Sequence, residues 1–283
     1  MMPQVSEYVL FNFIAAFVLV IYSQYVLSQN GINIKTRIVL IVSMILAFLA
    51  GARLLYAVLY LDKIISEPDK LFELKLVNFS LYGGLILSLC VFVVYTKGAK
   101  INGYVITDAM MPTLGIALMF SKLGCFFNGC CYGVPTNMPW GVVFAHADGN
   151  AVTKLLGASP LIKLISGVSQ VPRHPTQLYE AGFALLAGLI SLVILMLHRR
   201  SKRKRYHLLE VENESINSRG SGIVTLSFIF IYTIGRWISF YFRDFPQATV
   251  TSDFIRGPLI YGAIISITGV MLLLKIKQFS KGT

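Results

Sequence analysis

The sequence predicts an all-α, polytopic membrane protein of about seven transmembrane helices. Three observations carry that prediction. Of 283 residues, 55% are apolar and only 13% are charged, where a soluble domain carries about 25% charged residues. The mean hydropathy is +0.69. The apolar residues gather into seven runs near the ~20-residue length that crosses a bilayer as a helix.

The runs follow in order. The first, 8–27, comes after "MMPQVSEYVL", which has no basic n-region and places Glu7 ahead of the apolar stretch; it is expected to be a span and not a cleaved leader. The second, 38–60, contains "GARLLYAVLY" (51–60). The third, 79–96, opens on "SLYGG" (80–84), and the fourth, 106–126, runs into "SKLGCFFNGCCYG" (121–133). Residues 127–176 then separate it from the fifth run, 177–197. This stretch is rich in Gly and Pro and holds short apolar pieces such as "PWGVVF" and "PLIKLI". It is long for a connector, so 128–176 is expected to form an extracytoplasmic cap or surface-lying elements. The basic block "HRRSKRKR" (198–205) follows the fifth run, and with "EVENESINSRGSG" (210–222) it makes a basic cytoplasmic linker over 198–221. The sixth and seventh runs are 222–242 and 257–275. No fixed-period repeat divides the chain, which reads as one integral membrane domain over 1–283.

The net charge of +12 lies largely in the 198–205 block. A basic block beside a span fixes topology and meets anionic headgroups, so it is a poor sign of nucleic-acid binding. With seven spans, fourteen of the 25 Lys and Arg fall in connections on one side and eight on the other; Arg53, Lys122 and Arg236 lie within or at the edge of spans. The positive-inside rule then puts the N-terminus outside and the C-terminus in the cytoplasm.

That orientation converts sequence position into depth. Arg53, Lys122, Glu180 and Arg236 all fall in the outer part of their spans, with Arg243 at the outer mouth of the sixth. Charges inside a membrane are costly unless they face a cavity or a partner. Arg236 and Arg243, seven residues apart, are expected to share a helix face about 10 Å apart, and Gln177 and Glu180 share another. Two arginines at a lipid-accessible cavity suit a phosphate; the alternative is an Arg–Glu pair that holds helices together. Gly83–Gly84 and the triple Gly124, Gly129 and Gly133 permit close backbone approach, either to a ligand or to a neighbouring helix. The outward clustering argues against a transporter, whose sites lie near the midplane.

Taken in order, "GARLLYAVLY", "YGGLI" (82–86), "TD…P" (107–112), "KLGCFFNGCCYG" (122–133), "PWGVVF" (139–144), "RHPTQLYE" (173–180) and "GRWISFYFRDFP" (235–246) resemble the prolipoprotein diacylglyceryl transferases over roughly residues 40–275. "RHPTQLYE" is the most specific of these pieces. The resemblance implies a multi-pass enzyme of the bacterial inner (cytoplasmic) membrane. Such an enzyme moves the diacylglyceryl group of phosphatidylglycerol to the lipobox cysteine of a prolipoprotein signal peptide and releases glycerol phosphate, with no cofactor and no metal. The chain departs from the family at several places. Tyr82 stands where the family has His, Lys122 where it has Arg, Cys125 where it has Asn, Cys130 where it has Glu, and Phe240 where it has Glu; Asn128, Gly133, Arg236 and Arg243 match.

On that basis Tyr82, His174, Glu180 and Arg236 are the candidate catalytic residues. Arg53, Gly83, Gly84, Lys122, Asn128, Gly133, Gln177 and Arg243 are candidates for substrate binding. His174 has a side chain whose ordinary pKa suits a base but could instead orient the entry to the fifth span. Glu180 could accept the thiol proton or pair with an arginine, and Lys122 could contact phosphate or snorkel. Cys125, Cys130 and Cys131 lack C-x2-C spacing, so a metal site is not expected. A disulfide on the oxidising side, a nucleophilic thiol and plain packing stay open. The departures also keep open an altered-acceptor or non-catalytic homologue that binds phospholipid or a membrane partner.

Overall fold

The computed structural model describes residues 7–61, 80–144, 171–209, 221–244 and 250–280, without the side chains of 81–82, 201–209 and 250–256. Residues 145–170 of the expected cap (128–176), residues 210–220 of the basic linker (198–221) and the side chain of Tyr82 lie outside the described residues. The described residues form seven helices: α1 (Glu7–Gln29), α2 (Ile34–Leu59), α3 (Leu81–Gly98), α4 (Gly103–Phe127), α5 (Thr176–Leu209), α6 (Ile223–Tyr241) and α7 (Val250–Ser280). They correspond in order to the seven predicted spans. Six are long and apolar enough to cross a membrane, and α3 contributes the shorter apolar helix Gly83–Gly98. The chain is a multi-pass membrane protein. Large apolar side chains such as Phe13, Leu273 and Val94 stand out from the helices, as a hydrocarbon solvent permits.

The helices divide into two compact units, 23–106 and 1–22 with 107–283. In the first, α2 packs along α3 through glycines. A methyl group added at Gly83 would collide with the carbonyl of Gly51 and come 2.5 Å from the Leu55 Cβ, and one at Gly84 would meet the Phe48 ring at 2.8 Å. Without a hydrophobic force between helices in lipid, such close backbone contact is what holds them together. α1 ends in a Schellman motif at Gly31 (φ +71°), with Ile32 N–H donating to Leu27 O and Gly31 N–H to Ser28 O.

In the second unit α6 is the centre, packed by α5 and α7. Val224 and Phe228 of α6 are buried with Met111 of α4 and with Ala187 and Leu195 of α5. α4 and α5 approach closely at Gly115 and Gly188, where a Cβ on Gly115 would meet the Ala184 carbonyl at 2.6 Å. The start of α6 is capped from a distance. The buried Asp108 carboxylate accepts from Gly222 N–H (2.7 Å), Thr225 N–H (2.9 Å) and the Thr225 hydroxyl (2.6 Å). Gly222 sits at φ +94° and offers no side-chain cap of its own, so Asp108 of α4 satisfies donors that the helix start leaves without partners.

Candidate functional site

Glu180 is a buried carboxylate near the start of α5, and two cations reach it. Lys122 Nζ of α4 lies 2.5 Å from one oxygen, and Arg236 of α6 pairs with the other. Arg236 also donates to the Tyr261 hydroxyl of α7 at 3.4 Å. The carboxylate therefore ties three helices of this unit together, and Arg236 adds α7 as a fourth. Two cations against one anion leave the cluster with one net positive charge. Lys122 is held by this pairing and does not snorkel. Three of the charges that depth alone grouped thus meet in space.

Arg53 belongs to the other unit, and Arg243 is placed differently from the expectation. Arg243 does not share a helical face with Arg236, because α6 stops at Tyr241. Phe242 N–H donates back to Ser239 O and Arg243 N–H to Phe240 O, tightening the last turn. Arg243 then forms an antiparallel bridge with Gly133. The chain leaves the helix there because extended segments compete for its backbone: Val134 N–H donates to Phe242 O at 2.9 Å and Asp244 N–H to Tyr132 O at 3.3 Å.

These segments form a small backbone platform. Arg173 bridges both Pro135 and Val142; Gly133 N–H donates to His174 O at 2.8 Å and His174 N–H to Val134 O at 3.1 Å. Gly133 has to be a glycine, since a Cβ there would strike the Phe242 carbonyl and the His174 side chain. An Arg173–Asp244 ion pair closes the platform, with the Arg173 guanidinium 4.9 Å from the Tyr132 ring centroid.

Beside the platform an apolar cavity of about 560 Å³ lies between α5 and α6. Its walls include Leu178, Phe183 and Leu186 of α5, Ile238 of α6, and Phe242 and Trp140. His174 and Ser239 supply polar atoms at its edge. Trp140 donates to the Tyr179 hydroxyl at 2.9 Å, and that hydroxyl lies 3.0 Å from His174 Nδ1. When Nδ1 carries the proton and donates it to the Tyr179 hydroxyl, Nε2 is the nitrogen left to accept one. The buried Ser239 hydroxyl has no partner among the described residues.

The cysteine loop sits at the start of α5. α4 ends in a second Schellman motif with Gly129 (φ +66°) at C′: Cys130 N–H donates to Cys125 O at 3.1 Å and Gly129 N–H to Phe126 O at 3.0 Å. Gln177 Nε2 donates to Cys130 O at 2.6 Å, and the Thr176 hydroxyl to Cys131 O at 2.7 Å. All four cysteines are free thiols. The Cys131 thiol is held well below the usual thiol range, first by hydrogen bonds from Cys125 and then from Cys130, with the charges of Arg243 and Lys122 adding to the effect.

The remaining candidates are spread wider. Asn128 lies exposed at the end of α4. Arg53, half-buried, and Gly83 and Gly84, engaged in helix packing, belong to the other unit. The sequence reading passed over Tyr179, Tyr261 and Asp108. Tyr179 lies inside the most specific motif, and Asp108 inside "TD…P"; no sequence signal marks Tyr261.

Comparison with known proteins places the chain in one family. The model of the family described as prolipoprotein diacylglyceryl transferase matches residues 2–276. A phosphatidylglycerol–prolipoprotein diacylglyceryl transferase of Geobacter sulfurreducens is 30% identical over 227 residues, 80% of this chain and 71% of that protein. Proteins of the same name from Clostridium tetani and Cronobacter sakazakii are each 28% identical; the aligned parts are 75% and 77% of this chain, and 71% and 68% of theirs.

Proposed function

Because this chain belongs to the prolipoprotein diacylglyceryl transferase family, we propose that it transfers the diacylglyceryl group of phosphatidylglycerol to a prolipoprotein cysteine thiol and releases glycerol phosphate. The observation that carries the reading is the net-positive Lys122–Glu180–Arg236 cluster, in which Glu180 and Arg236 stand on α5 and α6, the two helices that enclose the apolar cavity. An anionic lipid needs both parts: a cationic place for its phosphate and an apolar wall for its acyl chains.

In the reaction the acceptor's sulfur forms a bond to the glyceryl carbon. The bond from that carbon to the phosphate oxygen breaks, and the electron pair leaves on the phosphate. Negative charge grows on the leaving group, so fixed cations aimed at it lower the barrier. Arg236 is the principal phosphate contact in this reading, supported by Lys122 and by Arg243 at the platform. Both Glu180 oxygens face cations, so Glu180 acts as a positioning residue. His174, turned by its Tyr179 contact, is the group that takes the thiol proton. The Ser239 hydroxyl, without a partner among the described residues, offers a donor to an ester carbonyl of the lipid. Asn128, Gln177 and Gly133 shape the loop and platform around this site. Arg53, Tyr82, Gly83 and Gly84 belong to the other unit and are given no step in this reading.

The reaction is placed on the outer face of the inner membrane, with the N-terminus outside and the whole chain acting as one membrane domain. The acceptor is the lipobox cysteine of a signal peptide. A bacterium depleted of its own transferase tests the proposal. Rescue by this chain that is lost with Arg236→Ala supports it. Absence of rescue by a chain that still binds phosphatidylglycerol favours the non-catalytic alternative, for which Phe240, an apolar residue at an acidic family position, speaks.

A further inference from the structure

Cys125 of α4 and Cys130 and Cys131 of the loop beyond it have no part in the transfer chemistry above, yet their arrangement is specific. Their sulfur atoms all lie within 4.8 Å of one another. Three features of the local backbone bring them together. The Schellman motif pairs residue C3 with residue C″, whose side chains habitually meet; here those residues are Cys125 and Cys130. Cys131 then takes a left-handed conformation, φ +61°, unusual for a residue with a Cβ. Finally, α5 grips the carbonyls of Cys130 and Cys131 through Gln177 and Thr176, so the loop cannot easily turn its thiols apart.

We propose that Cys125, Cys130 and Cys131 form a binding site for a single thiophilic metal ion, of the zinc or cadmium class. Zinc–sulfur bonds of about 2.3 Å place the sulfurs of one tetrahedral ion about 3.8 Å apart. Sulfurs already within 4.8 Å reach that spacing with movements of about 1 Å. Three sulfur ligands from one protein leave the fourth position for water or an incoming ligand, the arrangement of catalytic zinc rather than of closed structural sites. Softness selects among metals: thiolates favour zinc, cadmium and cuprous ions over magnesium or calcium. The Gln177 and Thr176 contacts are the supporting hydrogen bonds that orient such ligands. A disulfide would use only two of the three thiols and would give no reason for the third to converge. The proposal goes beyond the transfer reaction and does not depend on it.

The test uses the full chain in detergent, reduced and stripped of metal, titrated with cadmium ions. The expected result is an ultraviolet thiolate-to-cadmium absorption band that saturates at one ion per chain. It is unchanged by Cys90→Ser, a cysteine on α3 in the other unit. Binding weakens by about 100-fold or more in Cys125→Ser and in Cys131→Ser. Cys131 lies in the loop beyond α4, so its variant keeps the test open if Cys125→Ser fails to fold; size-exclusion profiles show which variants fold. The proposal is overturned if the wild type gives no thiolate band, or if folded Cys131→Ser binds cadmium as tightly as the wild type. A disulfide among the three in protein isolated without reductant would overturn it too.

Discussion

Replacing Glu180 by glutamine keeps the shape of the residue and removes its charge. Glu180 is 4% exposed. At 2.5 Å from Lys122, and with an effective dielectric constant of about 20, the attraction of that one pair is about 7 kcal/mol before desolvation is counted. Desolvation takes back much of this, and breaking a buried pair by removing one partner costs about 3–5 kcal/mol. Here two cations lose their counter-charge together. Their side chains keep 18% and 20% exposure, which lets water relieve part of the loss, so the lower end, about 3 kcal/mol, is expected. At about 2 °C per kcal/mol for a chain of this size, Glu180→Gln lowers the thermal midpoint in detergent by about 6 °C. Adding Lys122→Met to Glu180→Gln removes one uncompensated charge and restores about half of the loss. A Glu180→Gln midpoint within about 1 °C of wild type, or a double variant whose losses simply add, would refute the view that these three charges form one buried cluster.

Three further outcomes are expected. Alkylation of Cys131 in the presence of a chelator stays level from about pH 8 to pH 6, whereas an ordinary thiol with a pKa of about 8.5 slows about tenfold per pH unit there. The sign follows from its lowered pKa, since the thiolate, the reactive form, persists as protons are added; a tenfold fall per unit would contradict it. Asp108→Ala leaves the donors at the start of α6 unpaired inside the protein and destabilises by about 1–3 kcal/mol, whereas Asp108→Asn keeps an acceptor and costs less. Thermal melts of the two variants give the comparison, and equal losses would count against the cap. Gly51→Val forces α2 from α3 where a Cβ has no room and costs about 1–3 kcal/mol; an unchanged melt would show that the two helices do not cross at this glycine.

The seven helices could be read from hydropathy because membrane spans are set by length and apolar content, which are local properties. The helix ends were less legible. α5 runs on to Leu209 because Lys and Arg are good helix formers, so the basic block that ends an apolar window does not end the helix. Depth grouped Arg53, Lys122, Glu180 and Arg236; the last three meet, because a buried charge needs a partner at its own level, while Arg53 belongs to the other unit. The same logic misplaced Arg243, since it assumed that the helix continued through residues whose backbone is captured by Gly133 and Val134. Asp108 was illegible for a similar reason: it caps a helix whose N-cap residue, Gly222, lies 114 residues later. The convergence of Cys125 and Cys130, by contrast, was present in "CFFNGC", where Gly129 sits at the C′ position of a helix end and brackets the two thiols.

The account rests on the cationic cluster acting on the phosphate of an anionic lipid during transfer. The most direct measurement incubates the purified full chain with head-group-labelled phosphatidylglycerol and a lipobox peptide, and counts lipidated peptide and released glycerol phosphate. The account predicts equal amounts of the two products, and a rate about 100-fold lower with Arg236→Ala. No product from the wild-type chain, or an undiminished rate with Arg236→Ala, would contradict it.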